Sequence, residues 1–169
     1  RDYYASRGLG DVYKRQIENG QYTEMEDVSV DEILDELLPD LMDIYEHKQV
    51  RLIRKREEQP FIIRCNHSLA QILVSNLVKN SLLHNREGGE LQVLTTPTSL
   101  VIKNTGDVPL DGEKLFRRFY HGMDGKKDST GLGLAIARSI ALSSSLKLTY
   151  EWQDGMHTFR LVKESKIYR

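Results

Sequence analysis

Thiols are nearly absent from this chain. One residue of 169, Cys65, is a cysteine, which excludes an intrachain disulfide and a cysteine-based zinc site and fits a reducing compartment. Charge of one sign is not in excess either: 24 Lys and Arg stand against 25 Asp and Glu, for a net charge of -1. A nucleic-acid footprint normally shows as a basic domain or stripe, so no nucleic-acid partner is expected. A local basic run, Arg51 to Arg56 (RLIRKR), reads as the solvated face of a strand. No apolar stretch approaches the roughly 18 residues that a membrane helix needs, and there is no internal repeat or low-complexity segment. An initial Met and a signal peptide are also missing; opening on Arg1, the chain is expected to be a piece of something longer. What is there, 39% hydrophobic and 29% charged residues, suits one domain with its own core.

Along the chain, Thr23 to Val30 reads as a short extended segment, with Ser29 or Asp31 as the N-cap of a helix over Asp31 to His47. Ile33, Leu34, Leu37, Leu38, Leu41, Met42, Ile44 and Tyr45 recur there at helical spacing, and Pro39 predicts a kink or break. Val50 to Lys55 and Phe61 to Cys65 read as a pair of strands joined by a turn around Glu57 to Pro60. A second helix is predicted over Ser68 to Leu83, stopped by Gly88-Gly89. Strands follow at Glu90 to Thr95 and Leu100 to Asn104, around a turn at Pro97-Thr98-Ser99. After a loop and an irregular piece, His121 to Thr130 is polar and aperiodic, a candidate lid. A third helix, Gly131 to Ser143, precedes a hairpin of Leu146 to Trp152 and His157 to Val162 over Asp154-Gly155. These elements predict a two-layer α/β sandwich with a mixed sheet.

Four stretches carry chemistry. In "NLVKNSLLHN", Asn76 and Asn80 fall within the arc that Leu69, Ile72, Leu73, Leu77 and Leu83 form at roughly 100° per residue. A buried unpaired amide costs about 1–3 kcal/mol, so two of them a turn apart call for internal partners or a polar ligand. In "STGLGLAIA", Gly131 and Gly133 open an apolar helix, where each lowers helix propensity by about 1 kcal/mol. Free N–H groups at that N-terminus suit phosphate; a plain helix-entry turn is the structural alternative. Neither a dinucleotide fingerprint nor a P-loop matches. In "VIKNTG", the amide oxygen of Asn104 could accept from an exocyclic amine, and Gly106 would let a flat ring lie against the backbone; an Asn-initiated turn explains the same residues. "LFRRFY", with Phe116, Phe119 and Tyr120 beside two arginines, could be a hydrophobic plug under a loop.

Taken in order, these four stretches resemble the catalytic ATP-binding domain of bacterial sensor histidine kinases, over about Ile17 to Val162. That family shares its fold with gyrase, a heat-shock chaperone and mismatch-repair ATPases. The resemblance implies a Bergerat-type ATP-binding fold: a mixed, mostly antiparallel sheet with about three helices on one face. It implies that ATP and Mg²⁺ are bound, with Asn76 and Asn80 as the family's N-x-x-x-N and Asn80 as the Mg²⁺ ligand. Relatives with a Glu at the position of Asn76 use it to activate water; an Asn cannot take up a proton, so transfer is favoured over hydrolysis. Leu83 then His84 stand where a Lys followed by Tyr or His is frequent. Asn104 and Gly106 match the first glycine box with Asn in place of Asp, and Val108 in place of its second glycine. Phe116, Phe119 and Tyr120 match the phenylalanine box, with Arg118 as its arginine; His121 replaces a frequent Arg. Thr130, Gly131, Leu132, Gly133 and Leu134 match the second glycine box, and Thr158 a threonine beside the adenine. Asn76, Asn80 and Arg118 are the residues that the resemblance makes catalytic.

The phosphoacceptor histidine of the family lies upstream, followed by an acidic residue. None of His47, His67, His84, His121 or His157 is so followed. The expected organisation is therefore a non-native leader at 1–16, which resembles translated adapter read-through; the end of a linker from a dimerisation element at 17–30; and the catalytic domain at 31–169. The implied partners are that dimerisation and phosphoacceptor domain and the receiver domain of a response regulator. The parent is then a homodimer in the inner membrane, with this domain in the cytoplasm. Two rivals remain: a nucleotide sensor without transfer, and a serine kinase of the anti-sigma type on the same fold.

Overall fold

The computed structural model describes residues 24–117 and 133–165. Strand β1 (Glu26–Ser29) runs directly into helix α1 (Val30–Ile44), and Ser29 is the N-cap, its hydroxyl accepting from the Glu32 N–H at 3.2 Å. The helix is not broken at Pro39, which is exposed; it buries Val30, Ile33, Leu34, Leu38 and Leu41. A 3₁₀ turn (Glu46–Lys48) and Gln49, at φ 52°, lead into β2 (Arg51–Arg56). Then follow β3 (Ile62–Cys65), α2 (His67–Leu83), β4 (Glu90–Thr96), β5 (Ser99–Thr105), α3 (Gly133–Ser143), β6 (Leu146–Gln153) and β7 (Met156–Lys163). Asp154 and Gly155, both at positive φ (54° and 75°), make the tight β6–β7 turn predicted from that dipeptide.

The predicted pairing of the second and third strands does not form. β2 pairs in parallel with β4, and β3 pairs antiparallel with β1 as a separate two-stranded sheet. Asp31 explains the divergence. Its Oδ2 accepts from the Phe61 N–H at 2.8 Å while the Phe61 carbonyl accepts from Val30 N–H at 2.9 Å, so the chain after Pro60 is fastened to the start of α1 rather than to β2. The other carboxylate oxygen accepts from Thr95 Oγ1 at 2.6 Å, and Arg54 lies 3.6 Å away. A charge this buried is tolerable because each oxygen has a donor. The main sheet is thus ordered β2-β4-β5-β7-β6, antiparallel apart from β2–β4, whose parallel joint is spanned by β3 and α2.

All three helices lie on one face of this sheet, as predicted. Leu91, Val93, Leu100, Ile102, Phe159 and Leu161 alternate inward from β4, β5 and β7 to meet Leu34, Leu73, Leu77 and Ile140. Helix α2 is central, packed by α1 on one side and α3 on the other. Its last turn has no basic residue of its own. Lys48 fills that role from the 3₁₀ turn, its Nζ donating to the carbonyls of Leu82 (2.9 Å), Leu83 and Asn85 (3.1 Å). Past the helix, Asn85 Nδ2 donates to the Glu90 carbonyl at 2.9 Å, and a Cβ on Gly89 would overlap Asn85 Oδ1.

Candidate functional site

Central position makes α2 apolar over more than half its circumference. Its buried residues are Leu69, Ala70, Leu73, Val74, Leu77, Val78, Ser81 and Leu82, an arc shifted from the predicted one. Asn76 and Asn80 therefore sit on the flank of that arc, half-buried, rather than in its middle. That flank faces α3: a Cβ on Gly133 would stand 3.8 Å from Asn76 Cγ, an ordinary contact. The amide helix and the glycine-bearing helix start, far apart in sequence, thus meet. Leu134, half-buried, packs on the core beside them. His84 ends α2 as its C-cap, its N–H donating to the Asn80 carbonyl at 3.1 Å.

The end of β5 forms a second wall on the same side of the sheet. Asn104 is 1% exposed; its Nδ2 donates to the Thr105 carbonyl at 3.2 Å, and its Oδ1 has no hydrogen-bond partner among the described residues. Gly106 does admit a flat ring, and the ring belongs to the protein: a Cβ there would overlap the Nε2–Cδ2 edge of the His157 imidazole. The His157 Nδ1 is 2.7 Å from the Tyr150 hydroxyl, which accepts the Leu110 N–H at 2.9 Å. Gly106 is held from the β6–β7 hairpin as well, its N–H donating to the Gly155 carbonyl (3.0 Å) and its carbonyl accepting from Trp152 Nε1 (2.8 Å).

Thr158 is not part of this wall. It pairs with Lys103 and Glu151, on the face of the sheet away from the helices, whereas His157 pairs with Asn104 and shares its face. The sequence reading did not place His157 beside Asn104 and Gly106; alternation along β7 counted back from the apolar Phe159 and Leu161 puts it on that face. Phe116 rests edge-on against Phe159 (centroids 6.4 Å apart, planes at 81°), with the Arg138 guanidinium of α3 5.6 Å from its centroid. Arg118, Phe119, Tyr120, His121, the candidate lid, Thr130, Gly131 and Leu132 lie outside the described residues. No cluster of three or more His, Cys, Asp or Glu able to hold a metal occurs among the described residues. Cys65 is buried, and burial pushes its thiol up despite the Ser144 hydroxyl 3.3 Å away, so it is an inert core thiol.

Residues 65–164, more than half the chain, match the family model of the histidine kinase-, DNA gyrase B-, and HSP90-like ATPases. The chain belongs to this ATPase family. Over 77 residues it is 39% identical to the sensor histidine kinase YvrG of Bacillus subtilis (strain 168), a match that takes in 40% of this chain and 13% of that protein. The chain thus spans only a small part of the length of that curated relative. The fold is that of solved histidine kinases. The mycobacterial sensor histidine kinase MprB superposes with a TM-score of 0.69 at 21% identity, over 83% of this chain and 97% of that one. The histidine kinase ThkA, solved in complex with the response regulator TrrA, superposes at 0.64 and 17% identity, over 94% of this chain and 49% of that one. Among the described residues, no helix of this ATPase-family domain is long and apolar enough to cross a membrane.

Proposed function

We infer that this domain binds Mg-ATP between α2, the end of β5 and the start of α3, and presents its γ-phosphoryl to a histidine outside this chain, in two-component signal transduction. The observation that carries the inference is Asn104 Oδ1: a buried acceptor left without a protein partner costs about 1–3 kcal/mol, and the exocyclic amine of adenine would satisfy it. The meeting of Asn76 with Gly133 supports the phosphate end, because a backbone without side chains faces a flank that carries two amide oxygens. An amide oxygen is a hard ligand, so Asn80 fits Mg²⁺, which would supply charge neutralisation on the phosphates. Asn76 then orients without accepting a proton, leaving the external imidazole to attack in line and making water a poor competitor. Backbone N–H groups at Gly131 to Gly133 and the Arg118 guanidinium would hold the developing charge.

A protein-histidine kinase domain of this kind works with a dimerisation element that bears the acceptor histidine, and with a response regulator; the ThkA–TrrA complex is the precedent for the second partner. The parent would be a homodimer in the inner membrane with this domain on the cytoplasmic side. Titration calorimetry with a non-hydrolysable ATP analogue, with and without Mg²⁺, tests the site. Asn80→Ala should lose the Mg²⁺-dependent part of the affinity, at least ten-fold, while its melting temperature stays close to the parent value. Mg²⁺-dependent affinity unchanged in that variant would remove Asn80 from the site.

A further inference from the structure

The main sheet has a second face, and no described element covers it. Alternation splits the basic run of β2: Arg54 and Arg56 turn inward to the Asp35 carboxylate on α1, whereas Arg51 and Lys55 stand on the outer face. Register places Lys103, Arg160 and Lys147 on that face as well, against two acidic residues, Glu90 and Glu151. Arg51 lies 3.5 Å from Glu90, and Arg160 lies 2.9 Å from Glu151. Lys55, Lys103 and Lys147, on β2, β5 and β6, have no carboxylate at ion-pair distance among the described residues. A lysine on an edge strand can serve to block strand pairing. Lys103 and Arg160 are on interior strands, so that explanation does not reach them. Between the charges stand the half-buried apolar residues Ile53, Leu94 and Val162, and the strands present no aromatic side chain there on which a nucleic-acid base could stack.

The helix layer has the opposite sign. Helix α1 contains no Lys or Arg, and Glu32, Glu36, Asp40 and Asp43 are exposed along it. The domain is therefore polar across its thickness, basic on the open sheet and acidic on α1. We propose that the outer face of the sheet, through Lys55, Lys103 and Lys147, docks on the anionic headgroups of a bilayer, with α1 turned away from it. Positive charge spread over an open sheet from β2 to β6 matches a laterally continuous anionic surface, and repulsion of α1 fixes which side faces it. The long lysine stems let the ammonium groups reach headgroups while the apolar residues between them lose water. A second copy would offer an acidic α1 of the right sign, but the two surfaces look in opposite directions, so that contact would run head to tail without closing. The inference does not draw on the nucleotide site. A parent anchored in the membrane would hold this face at high effective concentration, so that a weak contact suffices.

The test is co-sedimentation of the full chain with vesicles at millimolar lipid, made either of phosphatidylcholine alone or of phosphatidylglycerol and phosphatidylcholine in equal parts. With a net charge of -1, the chain can favour an anionic vesicle only through an asymmetric face. It should bind the mixed vesicles, lose binding as salt is raised, and ignore phosphatidylcholine. One lysine near an anionic surface is worth about five-fold in partition, so Lys103→Gln should weaken binding by that factor, and Lys55→Gln, Lys103→Gln and Lys147→Gln combined on the order of a hundred-fold. Glu36→Gln on α1 should leave partition unchanged. Melting curves check each variant; where the triple change fails to fold, the single changes at the exposed Lys55 and Lys147 are read instead, each with the same five-fold loss as Lys103→Gln. No binding to the anionic vesicles, equal binding to both compositions, or undiminished binding by folded lysine variants would overturn the proposal. Binding to soluble poly-glutamate without binding to vesicles would overturn it in favour of an acidic protein partner.

Discussion

At Gly106 the missing side chain is occupied space: the His157 imidazole lies where a Cβ would be. Gly106→Ala should therefore act through a clash rather than through backbone strain, at a cost of about 1–3 kcal/mol. Removing the ring should relieve it, so Gly106→Ala combined with His157→Ser should cost less than the sum of the two single changes. Urea midpoints at constant slope measure this; strict additivity would mean that the two residues do not share the space. The case also shows what a sequence discloses about single residues. A glycine after a strand-terminal Asn allows close approach to the backbone, and at Gly106 a side chain of the protein itself makes that approach. The identity of that side chain was not legible, because β7 reaches β5 only through a pairing register that the local sequence does not encode. The same register sets the face of Thr158, which strand alternation puts on the side of the sheet opposite to Asn104 and His157.

Among the elements, helices and hairpins were legible and long-range pairings were not. Ser29 as N-cap, the α2 span and the Asp154-Gly155 turn follow from chemistry within a few residues. The parallel β2–β4 joint depends on segments separated by a strand and a helix, so a short polar turn before Phe61 was read as a hairpin. Helix α2 shows a third kind of dependence. Its C-terminus lacks any basic residue, yet three of its end carbonyl groups, including that of Asn85 just beyond, receive the Lys48 ammonium from outside. The Leu82 carbonyl also accepts the Asn85 N–H, so Lys48→Met should leave chiefly the Leu83 and Asn85 carbonyls short of a donor and cost about 1–3 kcal/mol. At roughly 2–4 °C per kcal/mol for a domain of this size, the melting temperature should fall by several degrees. Lys48→Arg, which keeps the charge, should fall less. An unchanged melt in Lys48→Met would mean that water serves those carbonyls equally well.

For the molecule as a whole, the consequence concerns what this domain can do alone. Asn76 cannot serve as a general base, and none of the five histidines is followed by an acidic residue as a phosphoacceptor of the family is. The chain should therefore bind ATP, hydrolyse it slowly, and fail to label itself. Adding a dimerisation element with its acceptor histidine should restore phosphorylation, faster when fused than in trans, because tethering holds the acceptor at high effective concentration. A time course with γ-labelled ATP on the chain alone, with that element in trans and with it fused, measures the order. Acid treatment of the product then assigns the chemistry: phosphohistidine loses its label, whereas label that persists would mark a serine kinase. No label in the fused protein, with ATP still bound, would make the domain a nucleotide sensor. Rapid self-labelling by the chain alone would overturn the mechanism, since an acceptor would then have to lie among residues whose sequence context offers none.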